Sequence, residues 1–178
     1  MMEWNILATA NRRQERYLLR LLSRYGEFKG SGYRDVVIGR VEDVDAFLET
    51  LEKLKQEKPE KLRSLSQIVP IERTFLFELS DFKNKLREAI SPYIELVENS
   101  RFYVRVERRG HKGEISSLEV EQEIDAFILE ALKTTGKLAQ VSFKGPEKII
   151  IVETIENRAG VGLITREMKE KYFFIKIK

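Results

Sequence analysis

The sequence predicts an α/β protein built as two units, one over residues 1–79 and a second over residues 80–178. Three observations carry that expectation. Segments with apolar residues at three- and four-residue spacing, the mark of helices, alternate with segments of β-branched and aromatic residues, the mark of strands. The length of 178 residues suits two small domains or one large one. Hydrophobic residues make up 42% and charged residues 34%, enough apolar material for a core with a heavily charged surface around it.

In the first unit, "WNILATA" (4–10) reads as a strand. Asn11 is placed to cap a following helix, with Gln14 at the capping-box position. Leu18, Leu19, Leu21, Leu22 and Tyr25 form that helix's apolar face, and Gly26 suits its end. "YRDVVIGRV" (33–41) reads as a second strand. Val44, Phe47, Leu48, Leu51 and Leu54 mark a second helix, which must stop before Pro59 because the residue before a proline avoids helical backbone. "SLSQIVPIERTFLFE" (64–78) carries β-forming residues interrupted by Pro70, so it is two short strands or one bulged edge strand. The order strand, helix, strand, helix, strand fits a small ferredoxin-like unit.

In the second unit, "SDFKNKLREAI" (80–90) is helical, and Ser91-Pro92 restarts the chain as a short second helix. "RFYVRVERR" (101–109) alternates, with Phe102, Val104 and Val106 on one side and Arg101, Tyr103, Arg105 and Glu107 on the other. A long helix follows (117–136), capped by Ser116 with Glu119 three residues on, and ended by Gly136. Glu114, Glu119, Glu121, Glu123 and Asp125 are expected to make its outer face acidic. "AQVSF" and "KIIIVETI" are strands, the second apolar enough to be buried on both faces. "ENRAGVGLIT" (156–165) reads as a hairpin into another strand, and "YFFIKIK" (172–178) is placed to close the sheet.

Composition removes several function classes. With no cysteine there are no disulfides, thiolate nucleophiles or cysteine zinc sites. A single histidine excludes multi-histidine metal clusters. Neither a dinucleotide fingerprint nor a Walker-type phosphate loop is present, so no cofactor and no metal are expected. Asp35, Asp43 and Asp45 sit across a strand end and a helix start, where capping explains them better than a metal cluster does, or than a catalytic site of Asp35 and Asp43 with His111 does. No apolar run spans a bilayer and the N-terminus lacks a signal-peptide pattern, so a cytoplasmic location is expected. Abundant Glu, Lys and Arg without Cys also suits a thermophile.

The formal net charge is only +3, so the placement of charge matters more than its sum. "RRGHKGEISS" (108–117) crowds Arg108, Arg109, His111 and Lys112 before Ser116 and Ser117 at a helix start. A helix N-terminus attracts anions, and Gly110 and Gly113 let a ligand approach the backbone closely. The stretch reads equally as a solvated turn or as a phosphate cradle. Arg12, Arg16, Arg20 and Arg24, spaced by four with Arg13 alongside, form a stripe on the first helix that suits phosphate or plain solvent. Asn157 and Arg158 at the glycine-rich hairpin could meet a backbone or base edge, or be ordinary turn residues.

The second unit resembles a THUMP domain, an RNA-binding module of tRNA-modifying enzymes. The resemblance lies in the strand ending Arg108-Arg109-Gly110, in Ser116-Ser117 opening a helix, in Pro146-Glu147 before an apolar strand, and in the hairpin Ala159-Gly160-Val161-Gly162. Asp125 stands where family members commonly carry a glycine inside the long helix. The first unit is similar to the ferredoxin-like domain that precedes THUMP in such proteins. The resemblance implies tRNA binding at the acceptor stem and 3′ CCA end, through Arg105, Arg108, Arg109, His111, Lys112, Ser116, Ser117, Asn157 and Arg158, with Arg12, Arg13, Arg16 and Arg20 in the first unit. A chain of this length is expected to leave no room for a catalytic domain, and on that expectation it resembles the stand-alone Tan-type adaptor most. That likeness implies a non-enzymatic partner of a tRNA cytidine acetyltransferase making N4-acetylcytidine. A free-standing RNA-binding protein without such a partner is the alternative.

Overall fold

In the first unit, β1 (Ile6–Ala10), α1 (Glu15–Leu22), β2 (Glu27–Gly30), β3 (Val36–Arg40), α2 (Val44–Glu57) and β4 (Leu65–Pro70) follow one another. The four strands make an antiparallel sheet in the order β2-β3-β1-β4, the ferredoxin-like arrangement. The structure, a computed structural model, describes residues 3–177. Strand β2 was not expected: its four residues carry one apolar side chain, Phe28, so no alternation marks it. The Phe28 ring lies over Gly39 of β3, where a Cβ would overlap it.

Two expected caps resolve differently. Asp43 caps α2, its Oδ1 accepting the Ala46 N–H at 3.0 Å. Asn11 does not cap α1: its side-chain amide donates to the Arg63 carbonyl at 2.7 Å, and the helix begins only at Glu15. Residues 64–78 form two strands that belong to different sheets. Pro70 ends β4, an edge strand, where a missing N–H costs no ladder bond.

The second unit contains β5 (Arg73–Leu76), α3 (Phe82–Ile90), β6 (Arg101–Glu107), α4 (Ser117–Thr134), β7 (Gln140–Val141), β8 (Lys148–Ile155) and β9 (Arg158–Thr165). The sheet order is β5-β9-β8-β6-β7, with β6 parallel to β7 and β8 and the remaining pairs antiparallel. The expected short helix after Ser91 is two 3-10 turns, Ser91–Tyr93 and Glu95–Val97. Phe102, Val104 and Val106 of β6 pack with Ile150 and Val152 of β8 beneath Val120, Ile124, Ile128 and Leu132 of α4 and Phe82, Leu86 and Ile90 of α3.

The acidic outer face expected of α4 is only partly outside. Glu119 and Glu123 pair with Lys83 at 3.3 and 3.0 Å. Glu121 is buried: its Oε2 accepts the Val106 N–H at 2.8 Å and lies 3.7 Å from Arg105. β7 pairs with β6 only at Arg101 and Phe102, so the rest of that strand edge needs acceptors, and α4 supplies them.

The C-terminal segment also departs from expectation. The compact units are Met1–Ile71 with Glu167–Ile177, and Glu72–Arg166, so the break falls before residue 79 and the chain's last stretch belongs to the first unit. A helix, α5 (Arg166–Lys171), precedes it. Residues 172–177 form no strand of the second sheet, and Lys178 lies outside the described residues. The Phe174 carbonyl accepts the Ile68 N–H of β4 at 2.8 Å, and Phe174, Ile175 and Ile177 are buried. The second sheet had no vacant edge at β9, which β5 occupies, whereas the outer edge of β4 was open.

Candidate nucleic-acid interface

The loop from Arg108 to Ser116 joins β6 to α4, and its backbone turns sharply. Gly110 and Gly113 have φ of +94° and +81°, and His111 between them +55°. That left-handed run is accessible to glycine and costly for most other residues. It ends at Ser116, whose Oγ accepts the Glu119 N–H at 3.2 Å as the N-cap of α4. The helix that follows has 18 residues, so its first turn presents free N–H groups and the positive end of a long macrodipole.

The β8–β9 turn meets this loop. The Arg109 carbonyl accepts the Glu156 N–H at 2.9 Å, and Thr154 Oγ1 accepts the Arg109 N–H at 3.0 Å. His111 Nε2 and Asn157 Oδ1 are 2.7 Å apart, and His111 Nδ1 is 3.8 Å from Glu114. Phe77 underlies the junction: its ring centroid is 5.7 Å from that of His111, and its N–H donates to the Asn157 carbonyl at 2.8 Å. Three chain segments far apart in sequence thus lock into one surface.

The cations expected to act together play different parts. Arg109 turns inward and makes a short ion pair with Glu153, whose side chain is 2% exposed. Burial pushes the Glu153 carboxyl up to about 7, while the Arg109 guanidinium pulls it down. Arg109 is therefore a structural clamp and not a surface cation. Arg108 folds over its own loop, donating to the Gly110 carbonyl at 2.6 Å. Arg105 lies over the Tyr103 ring at 5.3 Å and near Glu121. Arg158 donates to Thr74 Oγ1 at 3.4 Å. Lys112 is exposed and belongs to none of the ion pairs found among the described residues, and Ser117 is half-buried at the helix start.

In the first unit the stripe is shorter than its spacing suggested. Arg12 and Arg13 lie in the turn before α1, with Arg13 at φ +64°, and Arg24 lies beyond the helix; only Arg16 and Arg20 are helical. All five are exposed. Arg16 sits over the Tyr17 ring at 5.3 Å and donates to its hydroxyl at 3.4 Å. Asp35 accepts the Arg13 N–H at 3.3 Å and Asp43 caps α2; neither belongs to the unit that holds His111. Among the described residues no group of three or more potential metal ligands converges, and no helix is long and apolar enough to cross a membrane.

Glu153, Thr154 and Phe77 were not expected at the site. A signal existed: Glu153-Thr154 interrupts an otherwise apolar buried strand, and a buried charge requires a partner.

Residues 78–164 match the family model of the THUMP domain. The chain carries a THUMP domain. It begins just after β5 and includes both the basic loop and the β8–β9 turn. Solved structures share the fold of the described chain: PH1313 from Pyrococcus horikoshii Ot3 (15% identity, TM-score 0.62, covering 92% of this chain and 55% of that one), TrmN from Thermus thermophilus (20%, 0.63, 90% and 45%), and a 4-thiouridine synthetase solved with RNA and ATP (15%, 0.55, 91% and 41%). The chain thus spans about half the length, or less, of these relatives. No curated protein matches it.

Proposed function

We propose that the protein is a tRNA-binding adaptor without catalytic activity of its own. It grips the acceptor stem and 3′ CCA end and assists a separate cytidine acetyltransferase that forms N4-acetylcytidine. The observation that carries the tRNA reading is the surface within the THUMP domain where the basic loop, the N-terminus of α4 and the β8–β9 turn converge, with Lys112 free and His111 fixed against Asn157. Such a surface offers phosphates a cation and backbone N–H groups, and offers an unpaired base polar edges. The 4-thiouridine synthetase of the same fold was solved with RNA, which supports the reading. The adaptor role extends it to a partner of stated chemistry.

Two measurements test it. Binding is compared for intact tRNA, tRNA trimmed of its 3′ CCA, and tRNA with an altered anticodon loop; trimming should weaken binding strongly and the anticodon change should not. Equal binding to all three would reduce the protein to a generic RNA binder. Acetylation is then followed with tRNA, acetyl-CoA and this protein, with and without the acetyltransferase. The protein alone should transfer nothing and should raise the enzyme's rate on tRNA; acetylcytidine from the protein alone, or no effect on the enzyme, would overturn the adaptor role.

A further inference from the structure

A groove of about 610 Å³ lies in the second unit at the C-terminal end of α4. The helix has 18 residues, so the groove is about 27 Å from the basic loop at 1.5 Å per residue. Its apolar lining comes from Pro92, Ile94, Ala131 and Leu132. Its acidic lining comes from Glu88, Glu95 and Glu98. Glu88 and Glu95 are exposed, and the ion pairs found among the described residues include neither of them. Lys137 is the cation of the lining, and Glu98 holds it at 2.7 Å. The Glu98 hydrogen bond and charge, with the charge of Glu95, keep its ammonium above the usual range.

Two helix ends reinforce the field. Ser91 follows the last turn of α3 and Thr135 the last turn of α4, and both line the groove. Helix C-termini carry partial negative charge and favour cations. Leu96 and Leu138, each adjacent in sequence to a lining residue, are 49% and 75% exposed. Phosphate would be repelled here, so the occupant is not RNA.

We propose that this groove docks a basic amphipathic segment of a partner protein, its apolar side chains packing against Ile94 and Ala131 and its Lys or Arg side chains meeting Glu88 and Glu95. The pattern is helix-in-groove recognition with a complementary charged rim. The proposal rests on the adaptor reading for the identity of the partner, and α4 would then separate an RNA end from a protein end.

The test uses the full chain, isotope-labelled, and two peptides of one Leu/Lys composition. One has Leu at helical spacing and the other is scrambled. The ordered peptide should shift the amides of Ile94, Ala131, Leu132 and Thr135. The double variant Glu88→Lys, Glu95→Lys should weaken that binding about tenfold or more while keeping the wild-type melting temperature and tRNA affinity. Equal binding of the scrambled peptide, or shifts mapping elsewhere, would overturn the proposal. So would tRNA shifting these amides, or their shifting with protein concentration alone, which would place a second copy in the groove. Peptide binding at the groove in a protein that fails to bind tRNA would sink the tRNA reading and leave the groove assignment standing.

Discussion

Arg109 and Lys112 are three residues apart in one basic loop, yet they answer to different physics. Arg109 neutralises a carboxylate that is almost wholly buried. Removing one partner of a buried pair costs up to about 3–5 kcal/mol while the other stays charged, and less where the Glu153 carboxyl, already pushed up to about 7 by burial, can take up a proton. Arg109→Ala should therefore lower stability in denaturant unfolding, more at about pH 8 than at about pH 6, and Arg109→Glu should lower it further by setting two carboxyl groups together. Either variant unfolding at the wild-type denaturant midpoint would refute the clamp. Lys112→Glu is the clean probe of binding. An exposed side chain without partners should change stability by less than about 0.5 kcal/mol, while losing one phosphate contact should reduce the salt slope of tRNA binding by about one. Normal affinity and slope in that variant would make the loop a solvated turn. Sequence spacing placed both cations near the helix start; it could not reveal which faced inward, because the partner Glu153 lies 44 residues away.

At the scale of elements, α4 does more than cover the sheet. Its carboxylates serve the edge of β6 that β7 leaves open, Glu121 at Val106 and Asp125 at the Val104 backbone. Burial and the charge of Glu121 push the Asp125 carboxyl from 3.8 up to about 7. Between those values the folded chain retains a proton that the unfolded chain has released. This contribution is thus fully present below about pH 4, declines as pH rises, and levels off above about pH 7. Glu153 acts with the same sign. Asp125→Asn removes the charge and keeps an acceptor for the edge. Its melting temperature should exceed the wild type's at about pH 8, and its pH dependence between about 5 and 8 should be shallower; parallel curves for the two proteins would exclude the effect. The helix itself, its Ser116 cap and its Gly136 end were legible in the sequence because local rules set them. The inward turn of Glu121 was not, since helical spacing alone cannot tell a solvated carboxylate from one that caps a neighbouring strand. For the same reason the two halves of residues 64–78 were visible as strands, but not their membership of two sheets.

At the scale of the molecule, charge is divided unevenly between the units. From Glu72 to Arg166 the chain carries 15 Lys and Arg against 16 Asp and Glu, and the rest carries 17 against 13. The THUMP-bearing unit therefore has no positive surplus, and several of its arginines are engaged by protein groups. Affinity for nucleic acid depends on cations free to displace counterions from phosphates. The first unit carries such cations, as the second does at Lys112: Arg12, Arg13, Arg16 and Arg20 are exposed, and the ion pairs found among the described residues include none of them. A variant with these four arginines changed to Gln should keep its melting temperature, because none contributes to the core. It should bind tRNA much more weakly, and its slope of log affinity against log salt should flatten by about 3–4 units, near 0.9 for each phosphate no longer contacted. Titrations of wild type and variant at several salt concentrations read both quantities. An unchanged slope would assign the grip to the THUMP-bearing unit alone, acting through Lys112 and the N-terminus of α4, and would return the arginine stripe to solvated surface.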